Sequence, residues 1–151
     1  WGYMIEKAAT TCWEQWNGHW SQIHSCFPYI GGWFYRGLGG IQWDTENPGF
    51  KNIILRPALV KSVDWVNCSY QSSYGEIVSN WKIDKTQFKW EVNIPVNVSA
   101  TVFIPGNNIT EGGLPIEEAK GVTFIKNEDG SGICKLESGN YVFESKLSLN
   151  R

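Results

Sequence analysis

The sequence predicts a mainly β protein, an antiparallel β-sandwich preceded by a helical N-terminal portion. Three observations predict it. Beyond residue 45, several runs alternate apolar and polar residues with period two, as half-buried strands do. Turn-forming residues separate those runs at hairpin spacing. Before residue 45 the composition differs: six of the nine tryptophans (Trp1, Trp13, Trp16, Trp20, Trp33 and Trp43) lie there, and the apolar spacing is helical. The polar, turn-rich stretch Asp44-Thr45-Glu46-Asn47-Pro48-Gly49 divides the chain into 1–44 and 45–151.

Ser21 to Leu38 is the first predicted element. Ile23, Phe27, Ile30, Phe34 and Leu38 recur at helical steps and share one face. Pro28, Gly31, Gly32 and Gly37 fall within the same stretch, and each exposed glycine costs about 1 kcal/mol relative to alanine. Such a helix needs close neighbours, so residues 1–44 are expected to belong to a larger helical body. The start, Trp1-Gly2-Tyr3, shows neither an initiator methionine nor a basic-then-apolar leader, which suggests a chain beginning within a longer polypeptide. Compartment is therefore left open.

The alternating runs follow. Short strands are expected at Ile53–Arg56 and Val63–Tyr70. Gly75, Ile77, Ser79, Trp81 and Ile83 alternate with Glu76, Val78, Asn80 and Lys82. Phe88, Trp90, Val92 and Ile94 alternate with Lys89, Glu91 and Asn93. Further strands are expected at Ala100–Ile104, Val122–Lys126 and Gly132–Leu136. Tyr141, Phe143, Ser145, Leu147 and Leu149 form one face of a closing strand. Turns at Asp84-Lys85-Thr86, Glu128-Asp129-Gly130 and Ser138-Gly139-Asn140 join them.

Composition narrows function. With 13 basic and 15 acidic residues, the net charge of −2 leaves no electrostatic footprint for nucleic acid. No apolar run is long enough to predict a membrane-spanning helix. Cys12, Cys26, Cys68 and Cys134 lack metal-ligand spacing and are expected to be buried or half-buried thiols. Neither a phosphate-cradling loop nor a metal motif is present, so no cofactor is expected. Sequons at Asn67, Asn97 and Asn108 matter only in a eukaryotic secretory setting.

The densest chemistry lies in Thr10-Thr11-Cys12-Trp13-Glu14-Gln15-Trp16-Asn17-Gly18-His19-Trp20. Aromatic rings offer sugars a flat apolar face and can exclude water from a neighbouring acid, tuning it for general acid or base work. The alternative is that Trp13 and Trp16 anchor a core and Glu14 is an exposed or capping charge. His24, expected at the start of the glycine-rich helix, is a candidate hydrogen-bond donor to a hydroxyl or carboxylate, or else a capping or surface histidine. Glu6 reads as structural and His19 as solvent-facing. Tyr70, Tyr74 and Trp65 can form a carbohydrate platform or core and interdomain contacts.

These residues carry a family resemblance. Trp1 to Trp16, with its Thr10-Thr11-Cys12-Trp13-Glu14-Gln15-Trp16 motif, resembles the late segment of bacterial α-L-rhamnosidases of glycoside hydrolase family 78. The following stretch, His24 to Ile41 with its Gly32-Trp33-Phe34-Tyr35-Arg36-Gly37-Leu38-Gly39-Gly40-Ile41 run, looks like that family's last barrel helix. Pro48-Gly49-Phe50-Lys51, Arg56-Pro57, Ser69-Tyr70 and Tyr74-Gly75 with Val78-Ser79-Asn80-Trp81 resemble the start of its C-terminal β-sandwich. The resemblance implies the last helical hairpin of an (α/α)6 barrel over 1–44 and an accessory sandwich over 45–151. It also implies an inverting glycosidase, which uses a separated acid and base. Glu14 matches the general base, His24 a rhamnose-contacting histidine, and Trp13 and Trp16 the aromatic surroundings of the base.

The general acid and most sugar-binding residues of that family belong to earlier barrel helices, so this chain alone is expected to be inactive. Gln15 and Asn17 stand where many relatives carry Arg and Asp. The implied partners are a rhamnose-containing glycoside or polysaccharide and the remainder of the catalytic barrel. The competing reading is a non-catalytic carbohydrate-binding or scaffolding sandwich. It accounts for residues 50–151 but not for the Trp-flanked glutamate.

Overall fold

Each alternating run forms a strand in the computed structural model, which describes residues 1–26 and 29–148. The chain divides into two compact units, Trp1–Phe34 and Tyr35–Arg151.

The first unit holds α1 (Gly2–Glu6), whose Met4 is buried, and α2 (Ile30–Trp33). A π-helical turn, Phe34–Leu38, follows α2 into the second unit. The expected helix from Ser21 to Leu38 is therefore corrected to Ile30–Leu38. Residues 21–26 are irregular, Ile23 is exposed, and Phe27 and Pro28 lie outside the described residues. The physical reason is a competing set of hydrogen bonds: the backbone N–H groups of Ser21 and His24 are engaged with residues 12–14. A glycine-rich segment has little intrinsic helix preference with which to displace them.

Among the described residues, the second unit comprises eleven strands in two sheets: β1 (Ile41–Trp43), β2 (Asn52–Leu55), β3 (Trp65–Ser72), β4 (Gly75–Asp84), β5 (Gln87–Ile94), β6 (Ser99–Pro105), β7 (Asn107–Glu111), β8 (Leu114–Pro115), β9 (Val122–Glu128), β10 (Ser131–Leu136) and β11 (Gly139–Lys146). One sheet runs β1-β2-β6-β10-β9 and the other β3-β4-β5-β11-β7-β8. Pairing is antiparallel except between β2 and β6. That parallel pair is possible because the intervening chain first builds β3–β5 in the opposite sheet, supplying the long crossover that parallel strands need. β1 precedes the composition break at Asp44–Gly49, so the sheet begins ahead of it. Leu149, expected on the face of β11, lies outside the described residues.

In the longer strands the alternation sends one face inward. Ile53, Leu55, Val102, Ile104, Cys134 and Leu136 come from the first sheet; Ile77, Trp81, Phe88, Trp90, Ile94 and Phe143 come from the second. Trp81, Phe88, Trp90 and Phe143 form a chain of rings, each 6.1 Å from the next by centroid. Buried polar tips are satisfied. Trp90 Nε1 donates to Ser79 Oγ (2.9 Å), Ser79 Oγ donates to the Gly39 carbonyl (2.6 Å), and Trp81 Nε1 donates to the Leu38 carbonyl (2.8 Å). Those bonds stitch the segment before β1 onto β4 and β5.

All four cysteines are free. Cys68 and Cys134 are buried and Cys12 is half-buried, whereas Cys26 is exposed. The expectation of uniformly buried or half-buried thiols is thus corrected at Cys26, which lies in the irregular segment that replaced the predicted helix.

Candidate active site

Residues 12–14 and 21–24 run alongside one another in the first unit. The Glu14 N–H donates to the Ser21 carbonyl (2.8 Å), and the His24 N–H donates to the Cys12 carbonyl (2.8 Å). The loop between them reverses direction through a turn in which the Gly18 N–H donates to the Gln15 carbonyl (3.0 Å). The His19 N–H then donates to Asn17 Oδ1 (2.9 Å), an Asx-type contact suited to tight loops.

Gly18 has φ +76°, a conformation that side chains with a Cβ adopt reluctantly. Its position also matters for packing, since a Cβ there would lie 3.4 Å from the Trp13 ring.

This hairpin brings Glu14 and His24 together. Glu14 Oε2 lies 3.7 Å from His24 Nδ1, an ion-pair distance when the imidazole is protonated. The same oxygen accepts a hydrogen bond from the Ser21 N–H (3.3 Å). Glu14 and His24 retain 31% and 33% of their side-chain exposure, so both are reachable by a ligand.

Of the two flanking tryptophans, Trp13 is half-buried against Gly18 and Trp16 is exposed. His19 is exposed, as its turn predicts, and Glu6 ends α1. Ser21 was not singled out in the sequence. No side-chain signal was available, because it acts on Glu14 through its backbone. Among the described residues no three His, Cys, Asp or Glu side chains gather where they could hold a metal ion.

A carboxylate with one oxygen oriented by a backbone N–H and an imidazole can accept a proton from a hydroxyl or water. Exposed Trp16, two residues along the chain from Glu14, is an apolar plane of the kind on which a sugar ring stacks. Comparison with known families gives this arrangement a context. Residues 1–38 match the bacterial alpha-L-rhamnosidase 6 hairpin glycosidase domain, and residues 40–117 match the bacterial alpha-L-rhamnosidase C-terminal domain. The chain belongs to the bacterial α-L-rhamnosidase family.

Among its relatives, an α-L-rhamnosidase of Formosa agariphila is 29% identical over 99% of this chain, which covers 17% of that protein. An α-L-rhamnosidase of Alteromonas sp. (strain LOR) is 30% identical over 95% of this chain, which covers 16% of it. The chain thus spans less than a fifth of the length of these rhamnosidases.

Solved structures agree. The Streptomyces avermitilis α-L-rhamnosidase complexed with L-rhamnose matches 97% of this chain at TM-score 0.80 and 25% identity, with 15% of that structure covered. The Dictyoglumus thermophilum α-L-rhamnosidase matches 96% at TM-score 0.78 and 28% identity, with 17% covered. This rhamnosidase-family chain therefore carries Glu14, His24, Trp13 and Trp16 within the stretch matching a six-hairpin glycosidase domain.

Proposed function

We propose that the chain is the C-terminal part of an inverting α-L-rhamnosidase that releases terminal α-L-rhamnose from glycosides, with Glu14 as the general base. The observation carrying this reading is the Glu14–His24 pair at 3.7 Å, held by the 12–24 hairpin within the segment that matches the glycosidase domain. In the reaction, Glu14 takes a proton from water as that water attacks the anomeric carbon. A general acid on the opposite side of the ring protonates the departing oxygen. The two carboxyl groups of an inverting pair stand about 6.5–9.5 Å apart to admit the water.

The first unit contains one other carboxylate, Glu6 at the end of α1. We assign the acid to a segment outside these 151 residues, together with most of the sugar pocket. His24 supplies a hydrogen bond to a rhamnose hydroxyl and helps orient Glu14, while Trp13 and Trp16 furnish the apolar wall. On this reading the 151-residue chain alone turns over no substrate, because a base without its acid leaves the departing oxygen unprotonated.

The test uses the full-length protein that carries this chain. Glu14→Gln is expected to lower kcat on an aryl α-L-rhamnoside by about 10³-fold or more while substrate binding persists. His24→Ala is expected to raise KM more than it lowers kcat. Proton NMR of the first-formed sugar should show the inverted anomer. Near-wild-type kcat in Glu14→Gln, or a retained anomer, would overturn the assignment.

A further inference from the structure

The outer face of β3, β4 and β5 gathers an exposed indole with charged and amide side chains, remote in sequence from Glu14 and carried wholly by the second unit. Trp65 is 65% exposed at the start of β3. Strand register sets its neighbours: Trp65 lies opposite Lys82, and Lys82 opposite Lys89. One step along, Asn67 lies opposite Asn80, and Asn80 opposite Glu91. With part of Trp81, these residues line an open depression of about 240 Å³.

Its lining is polar and poised. Among the described residues, the side chains of Lys82, Lys89 and Glu91 make no hydrogen bond or ion pair, although Glu144 stands opposite Lys89 on β11. Asn80 Oδ1 accepts a hydrogen bond from the Cys68 N–H (2.9 Å), which fixes the amide and leaves its NH₂ as a donor. Lys82 and Lys89 are directly opposed on neighbouring strands. Lys82, whose register partners are Trp65 and Lys89, has no carboxylate directly opposite it, and like charges so opposed destabilise a sheet, which points to an anion held there beside the exposed indole.

We propose that this depression is an accessory saccharide-binding site for a pyranose ring bearing a negatively charged substituent. The ring stacks on Trp65, its hydroxyls bond with Asn67, Asn80 and Glu91, and Lys82 and Lys89 hold the anionic group. The site lies wholly within the second unit and does not depend on the catalytic reading.

The test is an NMR titration of the 151-residue chain, following the indole N–H resonance of Trp65 and, in every variant, the backbone amides of Asn67, Asn80 and Glu91. The probes are α-1,4-trigalacturonate, its carboxyl-reduced galactose trimer and a sulfated galactose trimer. Saturable shifts are expected with a charged trimer, with the neutral trimer about tenfold weaker or more. Preference between the two charged probes distinguishes carboxylate from sulfate as the anion. Trp65→Ala is expected to abolish binding. Lys82→Gln with Lys89→Gln should reduce affinity for the charged trimer to that of the neutral one without lowering Tm, since a like-charge contact is removed.

Three outcomes would overturn the site. They are absence of saturation for all probes up to about 10 mM, charged-trimer binding that survives Trp65→Ala, and self-association of the chain that buries Trp65. In the full-length protein, Trp65→Ala should leave kcat on a small aryl rhamnoside unchanged, so failure here is distinguishable from failure at Glu14.

Discussion

Ser79 shows how much a single small side chain can hold together. Its hydroxyl accepts from the Trp90 indole and donates to the Gly39 carbonyl, in a site with no exposure at all. Ser79→Ala would leave a buried donor and a buried acceptor unpaired, and each such loss costs about 1–3 kcal/mol. Urea denaturation should therefore report a loss of at least about 2 kcal/mol. Neighbouring Gly39 is equally constrained, because a Cβ there would sit 2.4 Å from Cys68 Sγ.

The cysteines separate by environment. Burial, reinforced by Glu117, pushes the Cys134 thiol from its ordinary 9.0 up to about 11, and burial alone raises Cys68. Iodoacetamide at about pH 8 should label exposed Cys26 while sparing Cys68 and Cys134 until the chain unfolds, as mass spectrometry would show. Because the folded state holds the Cys134 proton more tightly, its contribution to stability is complete below pH 9.0 and is lost as pH rises through about 11.

At the scale of elements, the long strands were legible because burial on one face imposes period two on the sequence. β4 shows this directly: Ile77, Ser79 and Trp81 point inward and Glu76 and Lys82 outward. β1, with three residues, and β8, with two, are too short to display a period. β7 begins with Asn107-Asn108 after a glycine at φ +97°, which reads locally as a turn. The helix over residues 21–38 was over-read for a different reason. Apolar spacing records which residues share a face, but not whether another segment captures the backbone first. The 12–24 hairpin does so.

The Trp-flanked motif around Glu14 was visible in sequence, whereas the Ser21 N–H on its carboxylate was not. Nor does a ten-residue separation announce that His24 lies beside Glu14. Gly18→Ala tests the hairpin itself. Its φ of +76° and the Trp13 ring make a methyl group unfavourable by about 1 kcal/mol, so amide exchange at Ser21 and His24 should accelerate about fivefold. Unchanged exchange would show that Gly18 does not hold the loop.

Across the whole molecule, the residues proposed for catalysis and those sustaining the sandwich occupy different units, which makes their roles experimentally separable. β11 lies between β5 and β7 and so couples the two halves of its sheet. Phe143, at its centre, is fully buried, stacked 5.8 Å from Tyr141 and 6.1 Å from Trp90. The Tyr141 hydroxyl lies within hydrogen-bond distance of the Gly121 (3.1 Å) and Glu137 (2.9 Å) carbonyls, anchoring the same strand to the approaches of β9 and β11. Truncating Phe143 to alanine leaves a void among rings that cannot readily collapse, a change that costs about 3–5 kcal/mol. Thermal unfolding followed by near-ultraviolet circular dichroism should show a large fall in Tm for Phe143→Ala. The half-exposed Glu14 tolerates loss of its charge, so Glu14→Gln should leave that transition in place. An equal fall in both variants would mean that the Glu14 hairpin is integral to the cooperative core. Loss of turnover in Glu14→Gln would then report unfolding rather than the missing base.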